Sequence, residues 1–311
     1  MSKQGLSFIH PSIVSHVVLG DGSFGTSNND VVATTTCVLR HGSSSIHTFK
    51  AKAMQREEGE RRFPPQHQDG QPGKEYLMDP LPVFSDPNYK PTNKLQGKVA
   101  LVIGGDSGIG RAVCYSFAKE GATIAFTYVK GDPIAIPTDV RYEKNCKDVV
   151  DKVVATYGRI DVLVNNAAVQ YETYTLDDIT EERLERIFRT NIFSHFFMTR
   201  HAVKHMKPGS SIINTTSALG FSGSPKLIDY ASTKGAIVNF TKSLAIFLID
   251  KGIRVNEVPM NRAAQPVEIA PSYVFLASKD SSYYTGTFLH PDGGELDNAI
   301  PSVNNNNTVN P

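Results

Sequence analysis

Two side chains of this 311-residue chain stand at a spacing that suits proton transfer. Tyr230 and Lys234 lie four residues apart at the start of a predicted helix, so they share a face. An ammonium beside a phenol favours phenolate and lowers a pKa that is otherwise ~10. Tyr230 would then exchange a proton near neutral pH. The same spacing recurs at Tyr115 and Lys119, which reads as an ordinary packing pair on another helix. Context separates the two pairs. Ser217 stands thirteen residues before Tyr230, just past a predicted strand, where its hydroxyl could steady a substrate oxygen. Asn191 lies inside a predicted helix without a local reason to be there, and could hold a relay water. Taken alone, Ser217 would equally be a turn residue and Asn191 a tolerated polar residue.

A second constellation binds rather than reacts. Gly104-Gly105-Asp106-Ser107-Gly108-Ile109-Gly110 follows a predicted strand and opens a predicted helix. Glycines there let the backbone turn tightly and approach a pyrophosphate at the helix amino terminus. An acidic residue that would hold a ribose 2′-hydroxyl is expected ~20 residues on. The stretch reads Tyr128-Val129-Lys130 instead, with no acid until Asp132. A cation at Lys130 suits a 2′-phosphate, which favours NADP(H) over NAD(H).

The elements that must hold these residues alternate. Strands are expected at 99–103, 122–129, 161–164, 211–215, 253–255 and 286–290. Helices are expected at 109–121, 181–206, 231–250 and 266–277. Such alternation implies an α/β fold with a doubly wound parallel sheet of Rossmann type, here over residues 96–300. Its carboxyl edge is where ligands of such folds bind. Residues 54–95 are polar and proline-rich and should lie as an extended arm; such an arm could serve as a linker or wrap a partner subunit. Residues 1–53 hold nine Ser and five Thr but only two acids. That composition fits an organelle transit peptide as well as a disordered leader, leaving plastid (chloroplast) and cytoplasm both open. The Asn-rich tail, 301–311, should be disordered.

Bulk properties exclude several classes. A net charge of +1 gives no field for nucleic acid or a membrane surface. Three cysteines without a CxxC pair indicate neither disulfides nor a metal site. No apolar run is long enough to span a bilayer.

Together these residues resemble the short-chain dehydrogenase/reductase family over roughly residues 97–294. Gly104, Gly108 and Gly110 fit its glycine motif, with Ile103 where a threonine is usual; Ser107 and Ile109 complete the loop. Asp139, followed by Val140, matches its adenine-contacting aspartate. Asn165-Asn166-Ala167-Ala168 matches its NNAG motif, with Ala168 for glycine, and places Asn166 beside the cofactor. Asn191, Ser217, Tyr230 and Lys234 match its catalytic tetrad, in which the lysine also binds the nicotinamide ribose. Gln71-Pro72-Gly73-Lys74-Glu75 and several later stretches resemble the plant glucose and ribitol dehydrogenase homolog group and its bacterial relatives. That resemblance implies a sugar, polyol or small aldehyde as substrate and a homotetrameric assembly.

Two departures stand out. The family has a helix between its second and third strands, whereas here the run 133–137 follows the second strand at once. Parallel neighbours need a crossover of about a dozen residues or more, so the third strand should be out of normal reach. After Asn256 the family continues into a loop over the nicotinamide and a substrate-covering lid; Glu257-Val258-Pro259-Met260 joins past both. An active reductase or dehydrogenase and a catalytically impaired chain that binds dinucleotide, or serves in assembly, are therefore both open.

Overall fold

The computed structural model describes residues 34–37, 49–52, 68, 73–128, 136–258 and 264–291. The chain divides into two compact units, with Val17–Pro65 forming one of them. In that unit Thr34–Cys37 (β1) pairs antiparallel with Phe49–Lys52 (β2), so the leader carries a strand pair. The rest of the leader, most of 54–72, Lys130 and the Asn-rich tail lie outside the described residues.

The other unit is built on Val99–Ile103 (β3), Thr123–Tyr128 (β4), Ile136–Pro137 (β5), Val162–Asn165 (β6), Ser211–Thr215 (β7) and Arg254–Val258 (β8). They form one sheet in the order β5-β4-β3-β6-β7-β8, parallel at every pairing. The expected doubly wound α/β fold is therefore present. Seven helices accompany it among the described residues: Gly108–Lys119 (α1), Glu143–Tyr157 (α2), Glu181–Phe188 (α3), Ser194–Ala202 (α4), Leu219–Ser222 (α5), Ile228–Leu248 (α6) and Pro266–Ala277 (α7).

β3 is buried along its whole length and alternates between two cores. Ala100 and Val102 pack with α1 and α7. Val99, Leu101 and Ile103 pack with α2, α4 and α6 on the other face. Burying each larger side chain contributes about 1.5–3 kcal/mol, which is why central strands read as unbroken apolar runs.

The arm is fixed to its own sheet domain. Its described part, from Gly73 to Leu95, holds a single 3-10 turn, Glu75–Leu77. Phe84 packs into the α1–α7 core and meets Tyr115 edge-on at 5.7 Å. The Val83 carbonyl accepts from Val267 N at 3.0 Å, and its N–H donates to Gln265 Oε1 at 2.6 Å.

Several expectations need correction. The third strand is reached: Thr127 pairs with Ile136 and Tyr128 with Pro137. A two-residue strand needs a return of only one or two residues, about 3.3 Å each, rather than a crossover spanning a full strand. The expected helix 181–206 is interrupted by a π-helical stretch at Arg189–Phe193 and ends in a 3-10 turn. The expected strand 286–290 reduces to one bridge, Glu257 to Phe288. No element was expected between Val140 and Asp161, where α2 stands; Cys146, Val149, Val150 and Val153 form its narrow buried face.

Candidate active site

The glycine loop leaves the carboxyl end of β3 and enters α1. Gly104 sits at φ +76°, a left-handed conformation that side chains rarely adopt. At Gly110 a Cβ would lie 1.8 Å from the Gly104 carbonyl oxygen, so helix and strand close only around a bare backbone. Asn166 ties the turn down, donating to the Gly104 carbonyl at 2.9 Å and accepting from Thr215 Oγ1 at 3.2 Å. Thr215 in turn meets the buried Tyr273 hydroxyl at 2.6 Å.

Outside this turn lies a cavity of about 600 Å³. Gly104, Ser107, Gly108, Ile109, Asp139, Val140 and Asn166 all line it. Its shape and lining fit a dinucleotide: a bare-backbone turn with helix N–H groups at one end, and apolar walls from Val140, Ala167 and Val169 beyond. Asp139 is bridged by Arg141 (Nη2 to Oδ2, 2.6 Å), whose guanidinium holds the carboxyl below its usual range. Arg141, Arg186 and Thr190 also line the cavity and were missed in the sequence. Arg186 and Thr190 stand one turn apart just before Asn191, a spacing that could have flagged them. Glu75 was likewise missed; its carboxylate accepts from Gly108 N–H and pairs with Arg111.

The reacting candidates gather further along the same edge. Tyr230 is in the first turn of α6, 8% exposed, and packs in one cluster with Val169 and Ile187. Val169 also lines the cavity, so it links the two constellations. Burial pushes the Tyr230 phenol up to about 12, while a hydrogen bond from Ser217 pulls it down. Ser217, two residues past β7, is 6% exposed and its Oγ accepts from Leu219 N at 3.2 Å.

Lys234 is buried. Its Nζ donates to the Thr215 carbonyl at 2.9 Å and lies 5.3 Å from the Tyr230 ring centre. Loss of water pulls its pKa down to about 8, with the Glu257 carboxylate opposing that fall. The expected lowering of Tyr230 by Lys234 is thus not what this arrangement produces: burial raises the phenol, and the ammonium is held by a backbone carbonyl.

Asn191 sits in the π-helical stretch and has a local reason after all. Its Oδ1 accepts from Val169 N at 2.9 Å, and its Nδ2 donates to the Val169 carbonyl at 2.9 Å and to Thr233 Oγ1 at 3.1 Å. It staples the strand-end loop to α6, so its side chain is a brace rather than a free water holder. Tyr115 and Lys119 prove to be a packing pair, the ammonium lying 4.8 Å over the ring.

One buried group was unforeseen. Glu257, on β8 opposite Asn214, is fully buried, and neither carboxylate oxygen finds a hydrogen-bond partner among the described residues. Burial pushes its pKa up to about 8, with Thr241, Lys242 and Lys234 pulling the other way.

Comparison with known proteins agrees with this geometry. The family model for short chain dehydrogenase matches residues 98–260. Glucose and ribitol dehydrogenase of Daucus carota is 56% identical over 285 aligned positions, covering 76% of this chain and 98% of the relative. That share of this chain is fewer residues than the aligned positions, so the relative carries stretches that this chain lacks. NADPH-dependent aldehyde reductase 1, chloroplastic, of Arabidopsis thaliana is 55% identical, covering 75% of this chain and 98% of the relative. Among solved structures, a metagenomic blue fluorescent protein in complex with NADPH has a TM-score of 0.62 at 30% identity, covering 65% of this chain and 98% of that one. A short chain dehydrogenase from Burkholderia cenocepacia J2315 in complex with NADP has a TM-score of 0.61 at 28% identity, covering 64% and 98%. The chain belongs to the short-chain dehydrogenase family and is an NAD(P)-dependent oxidoreductase of that family.

Proposed function

We propose that the chain interconverts a carbonyl and an alcohol on a sugar, polyol or small aldehyde, using NADP(H). The observation that carries this reading is the juxtaposition of Tyr230, Ser217 and Lys234 at the carboxyl edge, one residue cluster away from a cavity that fits a dinucleotide. Bound there, the nicotinamide supplies or accepts hydride.

The chain's own residues do the rest. Tyr230 Oη gives a proton to the substrate oxygen in reduction, or takes it in oxidation. The Ser217 hydroxyl orients that oxygen and stabilises the charge that develops on it. Lys234 places a positive charge beside the phenol ring, and its ammonium, bound to the Thr215 carbonyl, would also serve the cofactor ribose. Asn191 braces the loop carrying Val169 against α6. The Gly104–Gly110 turn, tied down by Asn166, would hold the phosphates, and Asp139 and Val140 would lie beside the adenine. Support for NADP(H) comes from Arg141 and Arg186 in the cavity wall and from the cofactors of the structural relatives; Lys130 would add a further cation.

We also propose a homotetramer. Phe193, Phe196, Ile246, Phe247 and Ile249 are exposed on the α4–α6 side, and Phe196 lies 4.4 Å from Phe240 ring to ring. Large apolar side chains exposed in this number mark an interface. The Ser-rich leader, together with the chloroplastic relative, supports a plastid location over the cytoplasm; expression of a leader fusion checks this.

The deciding experiment measures NADPH binding and aldehyde turnover of the full chain beside Tyr230→Phe. Turnover lost by about 10²-fold or more in the variant, with binding retained, is expected. Equal turnover in both overturns the catalytic assignment. The buried Glu257 carboxyl, without a hydrogen-bond partner among the described residues, favours a second reading, a chain that binds dinucleotide without turning over; binding without turnover in the parent would establish it.

A further inference from the structure

We propose that Arg183 is a positioning residue: its guanidinium locks the 171–173 loop and the first turn of α6 into one unit, holding Tyr230 at the mouth of the site. This rests on the reading of Tyr230 as the acid/base group. Arg183 lies on α3 and its side chain is 14% exposed. It reaches two separate pieces of chain at once.

On one side it grips Asp229, the residue before Tyr230. Nε donates to Asp229 Oδ2 at 2.8 Å and Nη2 to Oδ1 at 3.2 Å, a fork geometry that lysine cannot reproduce. The Asp229 side chain is fully buried. Its Oδ1 also accepts from Tyr230 N at 2.9 Å. The ion pair therefore ends on the backbone of the candidate acid/base residue itself.

On the other side the same guanidinium gathers the loop that follows β6. Nη2 donates to the Tyr171 carbonyl at 2.9 Å and to Thr173 Oγ1 at 2.7 Å. Nη1 donates to the Glu172 carbonyl at 3.1 Å and the Asp178 carbonyl at 3.3 Å. Its centre lies 5.4 Å from the Tyr171 ring centre. Tyr171 packs in the same cluster as Tyr230. Thr173 N–H further binds the Lys226 carbonyl at 2.8 Å, just ahead of α6. One side chain thus ties together loop, helix start and reacting tyrosine. Proton transfer tolerates little displacement, since a shift of about 1 Å can cost about 10²-fold in rate.

The test follows amide hydrogen exchange at Thr173 and Tyr230 in the full chain, which needs no turnover. Arg183→Gln should accelerate both amides together by about tenfold or more, with α2 amides unchanged. Arg183→Lys should keep Tyr230 protected, because a point charge can still pair with Asp229, while Thr173 is released. Unchanged exchange at either amide in Arg183→Gln overturns the clamp, and so does full protection of Thr173 in Arg183→Lys. If Arg183→Gln does not fold, Asp229→Ala, which removes the acceptor of the Tyr230 amide, offers the converse: Tyr230 released, Thr173 held, and any other pattern counts against the clamp. Where the parent turns over, Arg183→Gln should lower kcat about tenfold or more, with KM for NADPH within about twofold, and Arg183→Lys should recover part of that loss. An inactive parent would overturn the function proposed above and leave the exchange result to decide the clamp.

Discussion

Along the carboxyl edge of the sheet, the β3–β6–β7 side and the β8 side treat buried polar groups differently. On the first, the Gly104 carbonyl, Asn166, Thr215 and Tyr273 form one unbroken chain of hydrogen bonds. On the second, Glu257 enters the space beside α6, and neither oxygen meets a hydrogen-bond partner among the described residues. The first side carries the glycine turn that lines the cavity; the second carries a buried carboxyl. A parallel strand buried on both faces has no exposed side to which a carboxylate can be turned.

The largest expected effect lies on the well-paired side. Gly110→Ala would put a methyl 1.8 Å from the Gly104 carbonyl oxygen, against rigid backbone. The loop must open, and NADPH affinity should fall at least about tenfold, which is about 1.4 kcal/mol, as read by fluorescence titration. Retained affinity would show that the cradle is looser than its geometry states.

Next comes β8. A carboxyl whose pKa is raised in the folded state stabilises the fold fully below its unfolded value. That contribution is lost as pH rises through the folded value, here about 8. Lys234 runs the other way: with a depressed pKa, its contribution is full above the unfolded value and lost as pH falls through about 8. Unfolding free energy against pH should therefore fall towards about 8 and rise beyond it, with slopes of at most about 1.4 kcal/mol per unit for each group. Glu257→Gln should abolish the acid limb and leave the alkaline one. Glu257→Val should stabilise the chain by about 1–3 kcal/mol above pH 8, because it removes an unpaired buried polar group. A flat profile in the parent would mean that Glu257 is partnered in solution.

How much of this was legible in the sequence divides along the same line. β3, β7 and α7 are visible as apolar runs or periodic faces with clear caps, and the Gly104–Gly110 loop is visible because its chemistry is local. Tyr230, Lys234, Ser217 and Asn191 do converge on α6 and the ends of β6 and β7, as their spacing implies. Glu257 is not legible, since Arg-Val-Asn-Glu-Val holds three polar residues in five and reads as a half-exposed strand; the packing of α6 and the Thr287–Leu289 stretch against β8 buries it. The π-helical stretch at Arg189–Phe193 is hidden because the apolar period runs through it. Arg183 reads as a surface charge until the loop and Asp229 close around it.

Thr215→Val converts the paired side into a copy of the other. The swap keeps shape but removes the hydroxyl that joins Tyr273 to Asn166. Tyr273 is fully buried, so its phenol would be stranded at a cost of about 1–3 kcal/mol. Chemical denaturation checks this. A cost near zero would show that the chain of hydrogen bonds is not what distinguishes the two sides.

The smallest effect belongs to the second tyrosine–lysine pair. Lys119 lies over the rings of Tyr115 and Tyr89 and donates to the Asp86 carbonyl at 3.1 Å, all at the outer face of α1 where the arm crosses. A cation over an aromatic ring at a solvated position is worth about 0.5–1 kcal/mol, and part of that is regained by hydration of the freed groups. Lys119→Ala should therefore change stability by about 0.5 kcal/mol and leave both NADPH affinity and turnover where they were. The two pairs share a spacing but not an environment: Lys234 is buried and bound to a backbone carbonyl at the sheet edge, whereas Lys119 rests on surface rings. A loss of turnover in Lys119→Ala would mean that the arm, rather than the sheet edge alone, shapes the reacting side of the site.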